Sequence, residues 1–250
     1  MRLCFILACW LYSTLATAEP LRVGLENHDY YPYYSAVEGQ DFDGYCIALL
    51  RAFATREGLE LELRPQPVNR LYRNMLSGQN LDLLFPDNPA WARKARDGQT
   101  LYYSQPVVQI VDATLVRAKR LGQGLHTVKR LGIVRGFTAE AWQPVLAKNG
   151  VERVEVQDIH SMLRMLERNR LDAIYANPQV VQHQLRQLGL DPAQVQLDPQ
   201  LPQVNTSFHL SSYKHPELIK RFDRFLLEEA VQLNQLRQQF NLPQSSASLP

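Results

Sequence analysis

The sequence predicts an α/β fold built as two similar lobes, each a mainly parallel sheet flanked by helices. Three observations carry this expectation. Short apolar strands alternate with helical patterns, and the order β-α-β-α-β occurs twice. Polar and aromatic residues gather just beyond the carboxyl ends of the strands, while the strands themselves are bland.

In the first unit the strands are "LRVGLE" (21–26), "LELEL" (59–63) and "LDLLF" (81–85), each short and bounded by breakers. Pro86 is expected to stop the third. Cys46, Leu49, Leu50 and Phe53 fall at helical spacing, with Asp43 as the expected N-cap and Gly58 as the stop. Val68, Leu71 and Met75 keep the same spacing up to Gly78. The second unit repeats the order. It has "RLGIV" (130–134), a helix from Thr138 to Lys148, "RVEVQ" (153–157), a helix from Ile159, and "LDAIYA" (171–176). Met75-Leu76 followed by Leu81-Asp82 matches Met165-Leu166 followed by Leu171-Asp172, at a constant offset of 90 residues. A weak internal repeat therefore underlies the two lobes, and parallel sheets with right-handed crossovers follow. Beyond it come a helix from Pro178 to Leu188, "QVQLD", a linker "PQLPQV" and the strand-like "NTSFHLSS". A long helix is expected from Pro216 to Phe240, and "PQSSASLP" (243–250) reads as a disordered tail.

The first eighteen residues read as a secretory signal peptide. Arg2 supplies the charge, Leu3 to Leu15 the apolar region, and Ala16-Thr17-Ala18 a cleavage pattern before Glu19. The apolar part is shorter than the roughly 20 residues a membrane span needs. Periplasmic export is therefore expected. Without Arg2 the chain holds 26 basic and 25 acidic side chains, a net charge of +1, which gives no basic face for nucleic acid. Cys4 and Cys9 lie in the leader. Cys46 is left single and sits on an apolar helix face, so it reads as a buried small hydrophobe rather than a reactive thiol.

In open parallel sheets ligands lie beyond the carboxyl ends of the strands. The residues found there are Asp29, Tyr30, Tyr31 and Tyr33 after the first strand, and Asp87, Asn88, Trp91 and Arg93 after the third. In the second unit they are Gly136, Phe137 and Thr138, and then Asn177. Each has a plainer reading. The tyrosines can cover an apolar rim, Thr138 can be an N-cap, Asn177-Pro178 can be an ordinary helix start, and Arg93-Lys94 a solvated turn.

Taken in order, these segments resemble the bacterial extracellular solute-binding proteins of family 3. The likeness is carried by "LRVGLENHDYYPYY", by "DFDGYCIALLRAFATREGLELELRPQPVNRLYRNMLSGQNLDLLF", by "YYSQPVV", by "LGIVRGFTAEA" and by the C-terminal helices, and it spans nearly all of the chain after the leader. The resemblance implies a two-lobed clamshell of the type II periplasmic-binding-protein kind. Residues 19–109 plus 205–242 would form lobe one, and 110–204 lobe two. A solute would lie between the lobes and favour their closure. It also implies that Tyr30 stacks on the solute and that Arg93 grips a carboxylate. Gly136, Phe137 and Thr138 would form the loop of the second lobe. The family's acidic partner for an α-amino group falls at Asn177, which removes a charge-assisted bond worth roughly 1.5–3 kcal/mol. Asp87 could restore that charge.

The expected function is therefore binding of a small polar organic solute, an amino acid or derivative, for uptake through an ABC importer or for report to a membrane sensor. No enzymatic activity, cofactor, metal or nucleic-acid partner is expected, and the chain is expected to be a monomer. The alternatives are a dehydratase-like enzyme of the same fold and a scaffold that binds only a partner protein. His28, Asp29, Asp87 and Glu140 are the candidate acid-base groups, but they form no recognisable dyad or triad. The six histidines lack metal-binding spacing, and no G-x-S-x-G turn occurs.

Overall fold

The computed structural model describes residues 19–37, 39–78, 80–96, 98–148 and 150–243. The expected leader, with Cys4 and Cys9, and residues 244–250 of the expected tail lie outside them.

The first unit runs β1 (Leu21–Glu26), β2 (Asp29–Tyr30), β3 (Tyr34–Ser35), α1 (Tyr45–Glu57), β4 (Leu61–Gln66), α2 (Val68–Leu76) and β5 (Leu83–Asp87). A short α3 (Arg93–Arg96) and β6 (Tyr102–Tyr103) lead into the long β7 (Val108–Arg117). The second unit runs β8 (Arg130–Val134), α4 (Gln143–Leu146), β9 (Glu152–Val156), α5 (Ile159–Glu167), β10 (Ala173–Ala176), α6 (Pro178–Gln187) and β11 (Val195–Leu197). Then β12 (Gln203–Ser212) returns, and α7 (Pro216–Glu228) and α8 (Ala230–Gln239) close the chain.

Ten strands form one continuous sheet in the order β4-β1-β5-β12-β7-β10-β8-β9, with β6 on β12 and β11 on β7, and β2 and β3 pair separately. Within each half the core pairs are parallel: β1 with β4 and β5, and β8 with β9 and β10. The halves meet at one antiparallel ladder, from Phe208 opposite Val108 to Gln203 opposite Ala113. Past that ladder β12 continues into the first half against β5, and β7 into the second against β10. Both lobes thus share two crossing strands.

The internal repeat is visible atom by atom. Asp82 and Asp172 each stand just before the third strand of their unit. The Asp82 carboxylate accepts the Arg22 N–H at 3.0 Å, and the Asp172 carboxylate accepts the Arg130 N–H at 2.8 Å. Each aspartate N–H returns a 2.9 Å bond to the carbonyl of that same arginine. Two residues further on, Gly24 and Gly132 lie under the leucine preceding the aspartate. A Cβ on Gly24 would stand 2.6 Å from Leu81 Cδ1, and one on Gly132 2.5 Å from Leu171 Cδ1. The repeated Leu-Asp pair therefore locks first strand to third in both lobes.

Four local expectations are corrected. The third strand does not stop at Pro86: β5 runs through Pro86 to Asp87. Its pairing with β1 ends at Leu84, and its pairing with β12 shifts register between His209 and Ser211, so the missing proline N–H breaks no ladder bond there. Asp43 is not the cap of α1. Gly44 takes that place, and the Asp43 carboxylate accepts the Gly44 N–H at 2.6 Å. No helix starts at Thr138; a 3₁₀ turn at Glu140–Trp142 precedes the single-turn α4. Seating the Trp142 indole, fully buried with its N–H donated to Thr114 at 2.8 Å, holds Ala139 at φ −82°, ψ 71°, outside the helical region. The long C-terminal helix breaks at Glu229, φ −100°, ψ 19°. The break turns Leu233 back onto the core and brings Phe240 to the rings of Tyr31 and Tyr45.

Cys46 is free and fully buried, and burial pushes its thiol well above the usual range. Among the described residues no helix is long and apolar enough to cross a membrane.

The Gly132 contact yields a direct test. Gly132→Ala drives a methyl group into Leu171, with Met162 and Ile174 also close. Overpacking of this kind costs about 1–3 kcal/mol, so the variant should melt several degrees lower than the wild type.

Candidate functional site

The carboxyl ends of β1 and β8 face each other across the crossing strands, and the segments after them meet. Gly136, with φ +88°, lets the loop after β8 approach α2: a Cβ there would be 2.8 Å from Val68 Cβ. Thr138 Oγ1 accepts the Ala92 N–H at 3.3 Å. Tyr30 Oη accepts the Asn177 N–H at 3.1 Å, and Tyr33 Oη donates to Gln179 at 2.6 Å. Gln184 donates to the Asp29 carboxylate at 2.9 Å. The two lobes are closed on each other.

A cavity of about 30 Å³ lies inside this closure. Tyr30, Tyr34, Val68, Tyr72 and Trp91 line it from the first lobe, with Glu26 at the end of β1. Ile110, Asp112 and Phe208 line it from the crossing strands, and Gly136, Phe137 and Thr138 from the second lobe. Half of its lining residues are aromatic. Tyr30 stacks on Tyr34 at 5.4 Å and meets the edge of Phe137 at 5.6 Å, and Trp91 packs edge-on against Phe208 at 5.8 Å. Tyr30 and Phe137 also border an outer cleft of about 390 Å³, lined further by His28, Asp29, Asp158, His160 and Gln184. These two rings form the wall between cavity and cleft.

Two carboxylates face the cavity. Burial pushes Glu26 up to about 7, against the hydrogen bond that Tyr34 donates to it. Asp112 is also pushed up to about 7, by burial and by the charge of Glu140. The tyrosines around them are held neutral, because burial raises Tyr30, Tyr34 and Tyr72 well above their ordinary range.

The sequence-predicted residues divide into four groups. Tyr30, Trp91, Gly136, Phe137 and Thr138 come together around the cavity, and Asp29 lines the outer cleft. Tyr31 turns away and packs on His183 and Phe240. Asp87, Asn88 and Asn177 are buried and engaged in structural bonds. Asn177 caps α6 by accepting the N–H groups of Gln179 and Val180, and Asn88 donates to Thr206 and Ser207. Asp87 is fully buried, pairs with Arg96, and accepts from Ser211 and from the Asn88 N–H.

Arg93 is exposed at the start of α3 and does not line the cavity. The buried guanidinium is Arg96, nearly one helical turn further on. It also donates to the Asn88 carbonyl and to Tyr103 Oη, and lies 4.7 Å from the Tyr72 ring centre. Burial opposes its charge, and the Asp87 carboxylate beside it more than offsets this, so Arg96 stays ionised.

Glu26, Tyr34, Tyr72, Asp112 and Phe208 were not foreseen as site residues. Two of them carry a legible signal. Glu26 ends a strand, and Asp112 is a lone acid inside the apolar run "VVQIVDATLV".

No family model matches the chain, and no curated protein matches it. Solved structures do. An ancestral arginine-binding protein bound to arginine shares 20% identity at a TM-score of 0.71, over 88% of this chain and 97% of that one. An arginine transport system periplasmic binding protein from Legionella pneumophila shares 15% at 0.69, over 88% and 99%. A histidine kinase sensor domain with similarity to periplasmic binding proteins shares 18% at 0.69, over 89% and 96%. The fold is that of the two-lobed periplasmic binding proteins. The cavity lies between the lobes, beside the carboxyl ends of the strands.

Two measurements check this account of the charges. Arg96→Ala leaves Asp87 buried without its partner and should cost about 3–5 kcal/mol, whereas Arg93→Ala should stay within about 0.5 kcal/mol by chemical denaturation. Second, Glu26 and Asp112 hold protons more tightly folded than unfolded. Their contribution to stability is therefore greatest near the ordinary carboxylate range and is lost as pH rises towards about 7. Melting temperatures from pH 4.5 to 8 should fall more steeply for the wild type than for Glu26→Gln/Asp112→Asn. Parallel curves would contradict the burial of these charges.

Proposed function

We propose that the chain is a periplasmic solute-binding protein related to family 3. In this reading residues 1–18 are the export signal, 19–109 plus 205–242 form lobe one, and 110–204 form lobe two. The crossing strands β7 and β12 are the hinge, and a small polar organic solute, an amino acid or derivative, binds between the lobes. Asp29, Tyr30, Trp91, Gly136, Phe137 and Thr138 belong to that site on this proposal, while Arg93 is left out of it.

One observation carries the reading: a cavity at the strand carboxyl ends is walled by side chains of both lobes and of both crossing strands. A solute there contacts every moving part, so its binding energy falls on the closed form. The fold shared with binding proteins and with a sensor domain supports the same reading. Delivery to an ABC importer and report to a membrane sensor both use such closure, since a partner needs only to distinguish closed from open.

A thermal-shift screen of amino acids, amines, small carboxylates and sugars tests it. A true ligand at about 100 times its Kd should stabilise the protein by roughly 2.7 kcal/mol. Tyr30→Ala should weaken that ligand about tenfold or more, as truncating a buried aromatic anchor does. A library without any shift would overturn the binding role.

A further inference from the structure

We infer that the cavity between the lobes is a cation site whose occupant is a small amine or guanidine carrying no carboxylate. This rests on the solute-binding reading above and narrows its ligand.

Glu26 and Asp112 reach the cavity from the end of β1 and from a crossing strand, and among the described residues no lysine or arginine lines it. A cation there meets two carboxylates among the aromatic side chains of Tyr30, Trp91 and Phe137. A ligand carboxylate would instead lie beside two acids with no cation to receive it. The one buried guanidinium near the site, Arg96, is already neutralised by Asp87 and fixed by Asn88 and Tyr103. Arg93 is outside. The Thr138 hydroxyl oxygen accepts the Ala92 N–H, and a neutral donor of this kind does not offset the two acids. Among the described residues no basic side chain lines the cavity to receive a carboxylate, and neither acid is paired with one.

Size agrees with charge. About 30 Å³ holds on the order of two water molecules, enough for an ammonium head or the end of a guanidinium. The rest of the solute would extend past Tyr30 and Phe137 into the outer cleft, whose lining includes Asp29 and Asp158. That cleft too offers acids to a second amino group.

Titration calorimetry of the mature protein at pH 8 with matched pairs decides the matter: agmatine against arginine, cadaverine against lysine, and phenylethylamine against phenylalanine. At least one amine should bind, with its carboxylated parent at least tenfold weaker. Glu26→Gln/Asp112→Asn should lose that amine at least tenfold while melting no lower than the wild type, which shows that it is folded. Binding of the parent equal to or tighter than its amine overturns the cation assignment and leaves the solute-binding reading standing. So does an amine affinity unchanged in the double variant, or a thermal-shift hit confined to neutral or anionic solutes. Silence of every solute in both experiments overturns the two together.

Discussion

The antiparallel ladder between β7 and β12 is the constraint on which the rest depends. It is the line where the two parallel half-sheets meet, and each strand ends deep in the opposite lobe. Because both strands cross, the lobes are held in register with each other. The same geometry places Ile110, Asp112 and Phe208 at the floor of the cavity. The ladder thus serves as joint between the lobes and as floor of the cavity at once. Closure then brings the loop after β8 onto α2, where only a glycine at position 136 permits the approach.

Charge burial around this joint follows two different logics. Asp87 sits at the end of β5 and is fully satisfied by Arg96, Ser211 and a backbone N–H. Burial still raises its carboxyl above the usual range against these partners, which hold it in place and leave nothing for a ligand. Glu26 is buried and Asp112 half-buried, neither with a cation beside it, and both carboxyls are pushed up to about 7. A buried acid without a counter-ion is costly to stability. Such groups cluster at sites where a ligand supplies the missing charge.

Much of the fold could be read from local pattern. The offset between Leu81-Asp82 and Leu171-Asp172 marks a real structural repeat, since each aspartate clamps the first strand of its own lobe. Tyr30 and the Gly136-Phe137-Thr138 loop were legible because they follow strands directly, and strand ends in such sheets face the ligand. Arg93 was misplaced because the phase of a four-residue helix decides which of several nearby basic residues turns inward. At α3 that is Arg96. The helix expected from Thr138 failed for a related reason: a distant partner, Thr114, anchors Trp142 and overrides local propensity.

The sequence alone determined the alternation of strands and helices, their doubling, and the ends of the strands at which polar groups collect. These follow from periodicity and from turn chemistry, which act over a few residues. Which charges face the cavity was decided only by the tertiary structure. Glu26, Asp87 and Asp112 are carboxylates of like chemistry in one chain, and they differ only in what packs beside them. Arg96 reaches Asp87 from nine residues away, and Tyr34 reaches Glu26 from eight. Asp112 is drawn into the cavity because a strand crosses from one lobe to the other at that point. Such partnerships depend on burial and on contacts distant in sequence, and no local spacing encodes them.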